Sequence, residues 1–197
     1  STSINYITTM RNKLKLYDIP LLCWVQAFAR DQYRMPSESE MRMQTFFQLT
    51  AGCKGISYFM YDADIYPHFT QVIMQNGGTP SSFYYYVQDV NPEVNSLGRV
   101  LRYLENNEVR FIPGRTSGVT NPTPSGLTNW TAGAGGDSHI VSAAVGAAES
   151  GARKDGVIGL FKDDTGQQYF LLTNMYRGPS LSASAASLSF TITFDSS

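Results

Sequence analysis

Apolar positions along the first half of the chain recur at alternating spacings. Ile4, Ile7 and Leu14 fall on one face of a helix over roughly residues 3–17, and Asp18 with Pro20 ends it. Leu21-Leu22-Cys23-Trp24-Val25-Gln26-Ala27-Phe28 is a nearly unbroken apolar run, the pattern of a parallel strand buried on both faces. After Pro36, Ser37 and Glu40 stand at capping-box spacing. Met43, Phe46, Phe47 and Thr50 then continue at helical spacing to a stop at Gly52. Residues 55–62 read as a second strand. A loop over 63–90 follows, and Asn91-Pro92 predicts another helix, with Asn at the N-cap and Val94, Leu97, Leu101 and Leu104 as its apolar stripe. Strands alternating with helices in this order predict a parallel sheet with crossover connections.

The pattern changes near residue 108. Helical periodicity gives way to short segments rich in Gly, Ser, Thr and Ala. Strands are expected near 109–112, 127–131, 138–147, 156–162, 167–174 and 187–194, parted by turns such as Asp164-Thr165-Gly166. The run Ser187–Phe194 alternates strictly, so one face should be buried and one wet. Six short strands in this span predict an antiparallel β-sandwich. Two domains are expected, 1–107 and 108–197.

Composition narrows the function. Lys+Arg total 15 and Asp+Glu 16, for a net charge of -1, which argues against a nucleic-acid binder that works by neutralising phosphates. No apolar run approaches the length of a membrane span. Only 16% of residues are charged while Tyr numbers 12 and Gly 17, a balance that favours a secreted or cell-surface protein. His68 and His139 have no ligand spacing, so neither a metal nor a cofactor is expected. Cys23 and Cys53 read as buried free thiols, with pairing as the alternative.

Three segments together carry a resemblance: Pro20–Phe28, Met35-Pro36-Ser37-Glu38-Ser39-Glu40-Met41-Arg42, and Ala51-Gly52-Cys53-Lys54-Gly55–Asp62. They resemble the end of a glycoside-hydrolase TIM barrel of the β-galactosidase-like group, with Ser96-Leu97-Gly98 in the final helix. The resemblance implies the fold class α/β followed by all-β. Residues 1–107 would be the last two β/α units of a (β/α)8 barrel, and 108–197 a β-sandwich with further sequence an open alternative at its end. A complete barrel takes roughly 250 residues. The remaining strands are therefore expected from the same or another chain.

The resemblance also implies a carbohydrate-active parent with an oligo- or polysaccharide as partner. Its two catalytic carboxylates would sit on the fourth and seventh strands. The fourth is absent here, and Gln26 stands in the seventh where a nucleophilic Glu is expected, so no catalytic residue is assigned. The chain alone is expected to be inactive. Gln26 shares a strand face with Leu22, Trp24 and Phe28. The face reads as a hydroxyl contact flanked by aromatic platforms, or as a buried amide satisfied by backbone. Tyr61, Asp62 and Tyr66 complete the expected sugar-binding set. Asp62 and Asp64 read first as turn residues whose side chains bond nearby backbone, with hydroxyl recognition or a carboxylate of the catalytic set as the alternative. The loop 63–90 adds His68, Phe69 and Phe83–Tyr86 as a binding segment or a packed lid. A non-catalytic glycan-binding or surface-assembly protein is the alternative function.

Overall fold

The computed structural model describes residues 2–62 and 68–195. The chain opens with α1 (Thr2–Lys15), β1 (Leu22–Gln26), β2 (Ala29–Arg30), α2 (Glu38–Thr50) and β3 (Gly55–Phe59). β1 and β3 run parallel, with Cys23 opposite Ile56, Val25 opposite Tyr58 and Gln26 opposite Phe59. The capping box at the start of α2 is present: Glu40 N–H donates to the Ser37 hydroxyl, and Ser37 N–H donates to the Glu40 carboxylate at 3.0 Å. Next come β4 (Phe69–Gln71), β5 (Met74–Gln75), β6 (Thr79–Pro80) and α3 (Ser82–Leu101).

The second half contains β7 (Glu105–Ile112), the small hairpin of β8 (Arg115–Thr116) and β9 (Val119–Thr120), β10 (Thr128–Asn129), β11 (Ile140–Val145), β12 (Gly156–Lys162), β13 (Gln168–Asn174) and β14 (Phe190–Phe194). β10, β7, β12 and β13 form the largest sheet, in that order. β11 and β14 pair separately as an antiparallel ribbon.

β12 explains how the halves join. Its residues are apolar on both faces, so both faces need cover. Val157, with Val109 and Phe111 of β7, packs against Ile4 of α1 and against Phe47 and Ala51 of α2 and its cap. Ile158 and Leu160 point the other way, onto Ile140, Ala143 and Val145 of β11 and Ile192 of β14. Thr50 at the end of α2 meets Thr173 of β13, hydroxyl to hydroxyl, at 2.5 Å. The four-stranded sheet is thus a central layer between helices and a two-stranded ribbon.

This arrangement corrects the expected fold class. The chain is mixed α/β, with three helices and fourteen short strands in six small sheets among the described residues. No described sheet closes into a barrel, and β1–β3 remains two-stranded. The large sheet is not one half of a purely antiparallel sandwich. It includes the parallel pair β10–β7 and carries helices on one face.

Three local expectations are corrected too. β1 is not buried on both faces, because Cys23 and Val25 are buried while Leu22 and Trp24 are open. The long loop is shorter than expected, since β4, β5, β6 and the first turns of α3 occupy it. Asn91-Pro92 lies inside α3, whose N-cap is Ser81. Phe83 and Val90 supply the buried stripe that starts this helix early, packing with partly buried Tyr86 and Val87. Pro92 has no N–H for the Gln88 carbonyl, and both residues sit on the exposed side of the helix, where that carbonyl is open to solvent.

Candidate functional site

The site follows from an imbalance around β1. Val25 and Ala27 face Met41 of α2 and Phe83 and Val90 of α3, so both helices cover the same side of the two-stranded sheet. Cys23, on that side, is bonded to Cys53 just past α2, which corrects the free-thiol expectation. Leu22, Trp24 and Gln26 alternate onto the opposite side, where Leu22 and Trp24 lie open. Leu22 and Trp24 are each 70% exposed.

Trp24 is held in place on this open face. Its ring stacks on Phe59 of β3, with centroids 5.5 Å apart and planes at 17°. Phe59 in turn meets Phe28 edge-on at 5.8 Å, and Phe28 meets Phe69 of β4 at 5.2 Å. The Arg30 guanidinium lies 5.3 Å from the Phe69 ring centroid. With one indole face on Phe59, Trp24 offers the other outward. Stacked and edge-on aromatic contacts add about 0.5–1.5 kcal/mol each beyond burial, enough to restrict the rotamers of such a row.

Gln26 sits beside this row. Its side-chain Nε2 donates to the carbonyls of Phe28 (3.1 Å) and Arg34 (2.9 Å). Two carbonyl acceptors identify that atom as the nitrogen. The amide oxygen therefore points away from both, as a fixed acceptor with no partner among the described residues. The donors of Gln26 are satisfied by backbone, while its acceptor is open.

The unpaired edge of β1 is closed by α2. Gln48 Nε2 donates to the Trp24 carbonyl at 2.8 Å, and Gln26 N–H donates to Gln44 Oε1 at 3.3 Å. A groove of about 610 Å³ runs along this region, walled by Ile4, Ile7 and Met10 of α1, Leu22 and Trp24 of β1, and Phe47 of α2. It adjoins a polar hollow of about 340 Å³ lined by Gln26, Tyr33, Arg34, Glu40, Gln44 and Arg177, the two sharing Gln26 and Gln44.

Glu40 is the one carboxylate among the described residues lining the groove and hollow. It is paired bidentately with Arg34 at 2.6 and 2.7 Å. Burial pushes its pKa up, but the Arg34 hydrogen bonds, the Ser37 N–H and the charges of Arg34 and Arg177 outweigh burial and hold it below its ordinary value. An ionised, hydrogen-bonded carboxylate fastened to a helix cap is a poor proton donor.

The structure places the remaining sequence candidates unevenly. Tyr61 is 58% exposed just beyond β3, and Asp62 is exposed next to it. Tyr66 and Asp64 lie outside the described residues. Of the loop aromatics, Phe83 is fully buried core, and Tyr84 and Tyr86 pack partly against that core. Sequence reasoning missed Phe59, Gln44 and Gln48. The signals were present: Phe59 alternates with Ser57 onto the face of Trp24, and Gln44 and Gln48 stand four apart on one helix face. Among the described residues no three His, Cys, Asp or Glu gather as a metal site, and no helix is long and apolar enough to cross a membrane.

Fold and site define a mixed α/β chain that presents an aromatic, solvent-open sheet face beside a groove. The chain matches no protein-family model and no curated protein.

Proposed function

We propose that this chain binds an oligo- or polysaccharide on the open face of β1 and β3, as part of a glycoside-hydrolase-like, carbohydrate-active protein. The observation that carries this reading is the outward Trp24 ring, backed by Phe59, next to the fixed acceptor of Gln26. A pyranose presents a C–H face to an aromatic ring and hydroxyls at its rim. Trp24 suits the first, and the amide oxygen of Gln26 suits the second. Tyr61 extends the aromatic surface past the end of β3. The Cys23–Cys53 bond supports a secreted or cell-surface setting, since disulfides persist in oxidising compartments.

Binding without hydrolysis by this chain is favoured by Glu40 being the single carboxylate among the described residues that line the groove and the hollow. Glycoside hydrolysis commonly needs two carboxyl groups about 5–9.5 Å apart, one of them able to give up a proton. Glu40 is engaged with Arg34, and Gln26 can neither form a glycosyl ester nor take a proton at neutral pH. The protein should therefore retain neutral oligosaccharides without cleaving aryl glycosides. Affinity electrophoresis against a panel of polysaccharides, together with an aryl-glycoside assay, tests both halves. Turnover by the pure chain would contradict the non-hydrolytic reading.

A further inference from the structure

A second cleft, of about 600 Å³, opens between the β8–β9 hairpin with the segment that follows it and the turn leading into β12. Thr116, Asn121, Thr123 and Ser125 line it with polar groups, and Arg153 and Arg177 both contribute to its wall. The two guanidiniums differ from those of Arg34 and Arg110. Arg34 and Arg110 are each paired with a glutamate. Arg177 is half-buried, and it spends one donor on the Met175 carbonyl at 3.0 Å. Neither Arg177 nor Arg153 has a carboxylate within 4.0 Å among the described residues.

Of the acids close to them, Glu40 is fully paired and Asp155 is engaged through one oxygen. Glu40 is held by Arg34. Asp155, which also lines the cleft, accepts from Gly114 N–H and from Asn121 Nδ2 through one oxygen, both at 2.8 Å. Burial, and then the neighbouring charge of Arg153, push the Arg177 pKa down, against the raising influence of Glu40 and Asp155. The cleft therefore holds a half-buried guanidinium that no described carboxylate contacts, with Glu40 and Asp155 acting on it only at longer range.

Arg153 adds a backbone observation. Its φ is +66°, in the left-handed region, while two of the three other non-glycine residues with positive φ are aspartates, which tolerate it better. A long side chain in that conformation persists where surrounding structure imposes it.

We propose that this cleft binds a carboxylate-bearing ligand, an acidic sugar unit, with Arg153 and Arg177 receiving the carboxylate. Guanidinium forks match the planar two-oxygen geometry of a carboxylate. Asn121 is spent on Thr116, Gly151 and Asp155, so ligand hydroxyls would meet Ser125 and the remaining lone pairs of Thr116 and Thr123. The sugar identity rests on the carbohydrate reading above, whereas the need for an oxyanion does not.

The test is titration of the whole chain, at low salt, with D-glucuronate, D-glucose and sodium sulfate, followed by calorimetry or amide chemical shifts. Glucuronate should bind, glucose should not, and sulfate should displace glucuronate. Arg153→Gln, at an exposed position without side-chain hydrogen bonds among the described residues, should leave the fold intact and weaken glucuronate roughly tenfold or more, the loss of a charge-assisted bond. Arg177→Met should do the same. If it unfolds the chain through loss of the Met175 contact, Arg153→Gln alone decides the matter. Trp24→Ala should leave glucuronate binding unchanged. Glucuronate binding in a chain that ignores neutral glycans would keep this site and discard the Trp24 face. Equal binding of glucose and glucuronate, an unaffected Arg153→Gln, or sulfate binding without glucuronate binding would overturn the proposal.

Discussion

Gln48 reaches from α2 to the Trp24 carbonyl at 2.8 Å, and one turn earlier Gln44 accepts the Gln26 N–H at 3.3 Å. These side chains stand where a neighbouring strand would otherwise bond β1. A parallel pair exposes two edges, and an uncovered edge invites pairing with another chain. The glutamines stop that pairing and leave the open face free. The double substitution Gln44→Ala/Gln48→Ala should lower stability by about 1–2 kcal/mol and produce dimers or larger species. Denaturant titration and size-exclusion chromatography at several concentrations would show both effects, and a monomer of unchanged stability would contradict this role.

The Cys23–Cys53 bond closes a segment with a sequence separation of 30 that contains all of α2. In the chain-entropy account a loop of this size is worth about 3–4 kcal/mol. Reduction, or Cys23→Ser with Cys53→Ser, should lower the unfolding free energy by about that amount. The comparison is made by denaturant unfolding with and without reductant.

Gly159 lies where α2 crosses the four-stranded sheet. A Cβ there would collide with the Thr50 carbonyl, and that carbonyl also accepts from Asn106 Nδ2 at 3.1 Å. Gly159→Ala should therefore separate helix from sheet at a cost of about 2–3 kcal/mol. Gly166→Ala has open space around its Cβ but a positive φ, so it should cost less, about 1 kcal/mol. Thermal melts of the two variants would rank them.

Acid should act through Glu40. Its pKa in the folded chain is depressed, so its contribution is present above the unfolded value, near 4.3, and is lost as pH falls through the folded value. Glu105 is shifted the same way, with burial raising its pKa and Lys15 and Lys162 lowering it further. Stability should decline as pH drops below about 4. Glu40→Gln keeps a capping-box side chain but removes the charge, so its stability should be lower at neutral pH and should change less on acidification. Equal pH slopes for variant and wild type would contradict the assignment.

Local chemistry was well recorded in the sequence. Ser37 and Glu40 marked the start of α2, and all six strands expected after residue 108 correspond to β7, β10, β11, β12, β13 and β14. The parallel pairing of β1 with β3 was also legible. What stayed hidden depended on contacts remote in sequence. The apolar run at 21–28 reads the same whether one face or both are covered, and only the placement of α2 and α3 on one side decides that Trp24 is open. Pro92 suggested a helix start, yet Phe83 and Val90 had already committed the chain to helix. The packing of Val157 on Phe47 joins the two halves through residues more than a hundred positions apart. At the site, Gln26 and Trp24 were legible by type, while Phe59, Gln44 and Gln48 gained their roles only from pairing register and helix placement.

The central claim is that Trp24 forms the platform for a glycan. Trp24 is exposed, so Trp24→Ala should change stability by no more than about 1.5 kcal/mol, the value of its stacking on Phe59. The most direct measurement is calorimetric titration of wild type and Trp24→Ala with the neutral oligosaccharide that the wild type retains best, galacto-oligosaccharides being tried first. We expect saturable binding by the wild type and a loss of roughly tenfold or more in affinity for the variant, about 1.4 kcal/mol. Equal affinity in the two proteins, or no binding by the wild type across the panel, would contradict the claim.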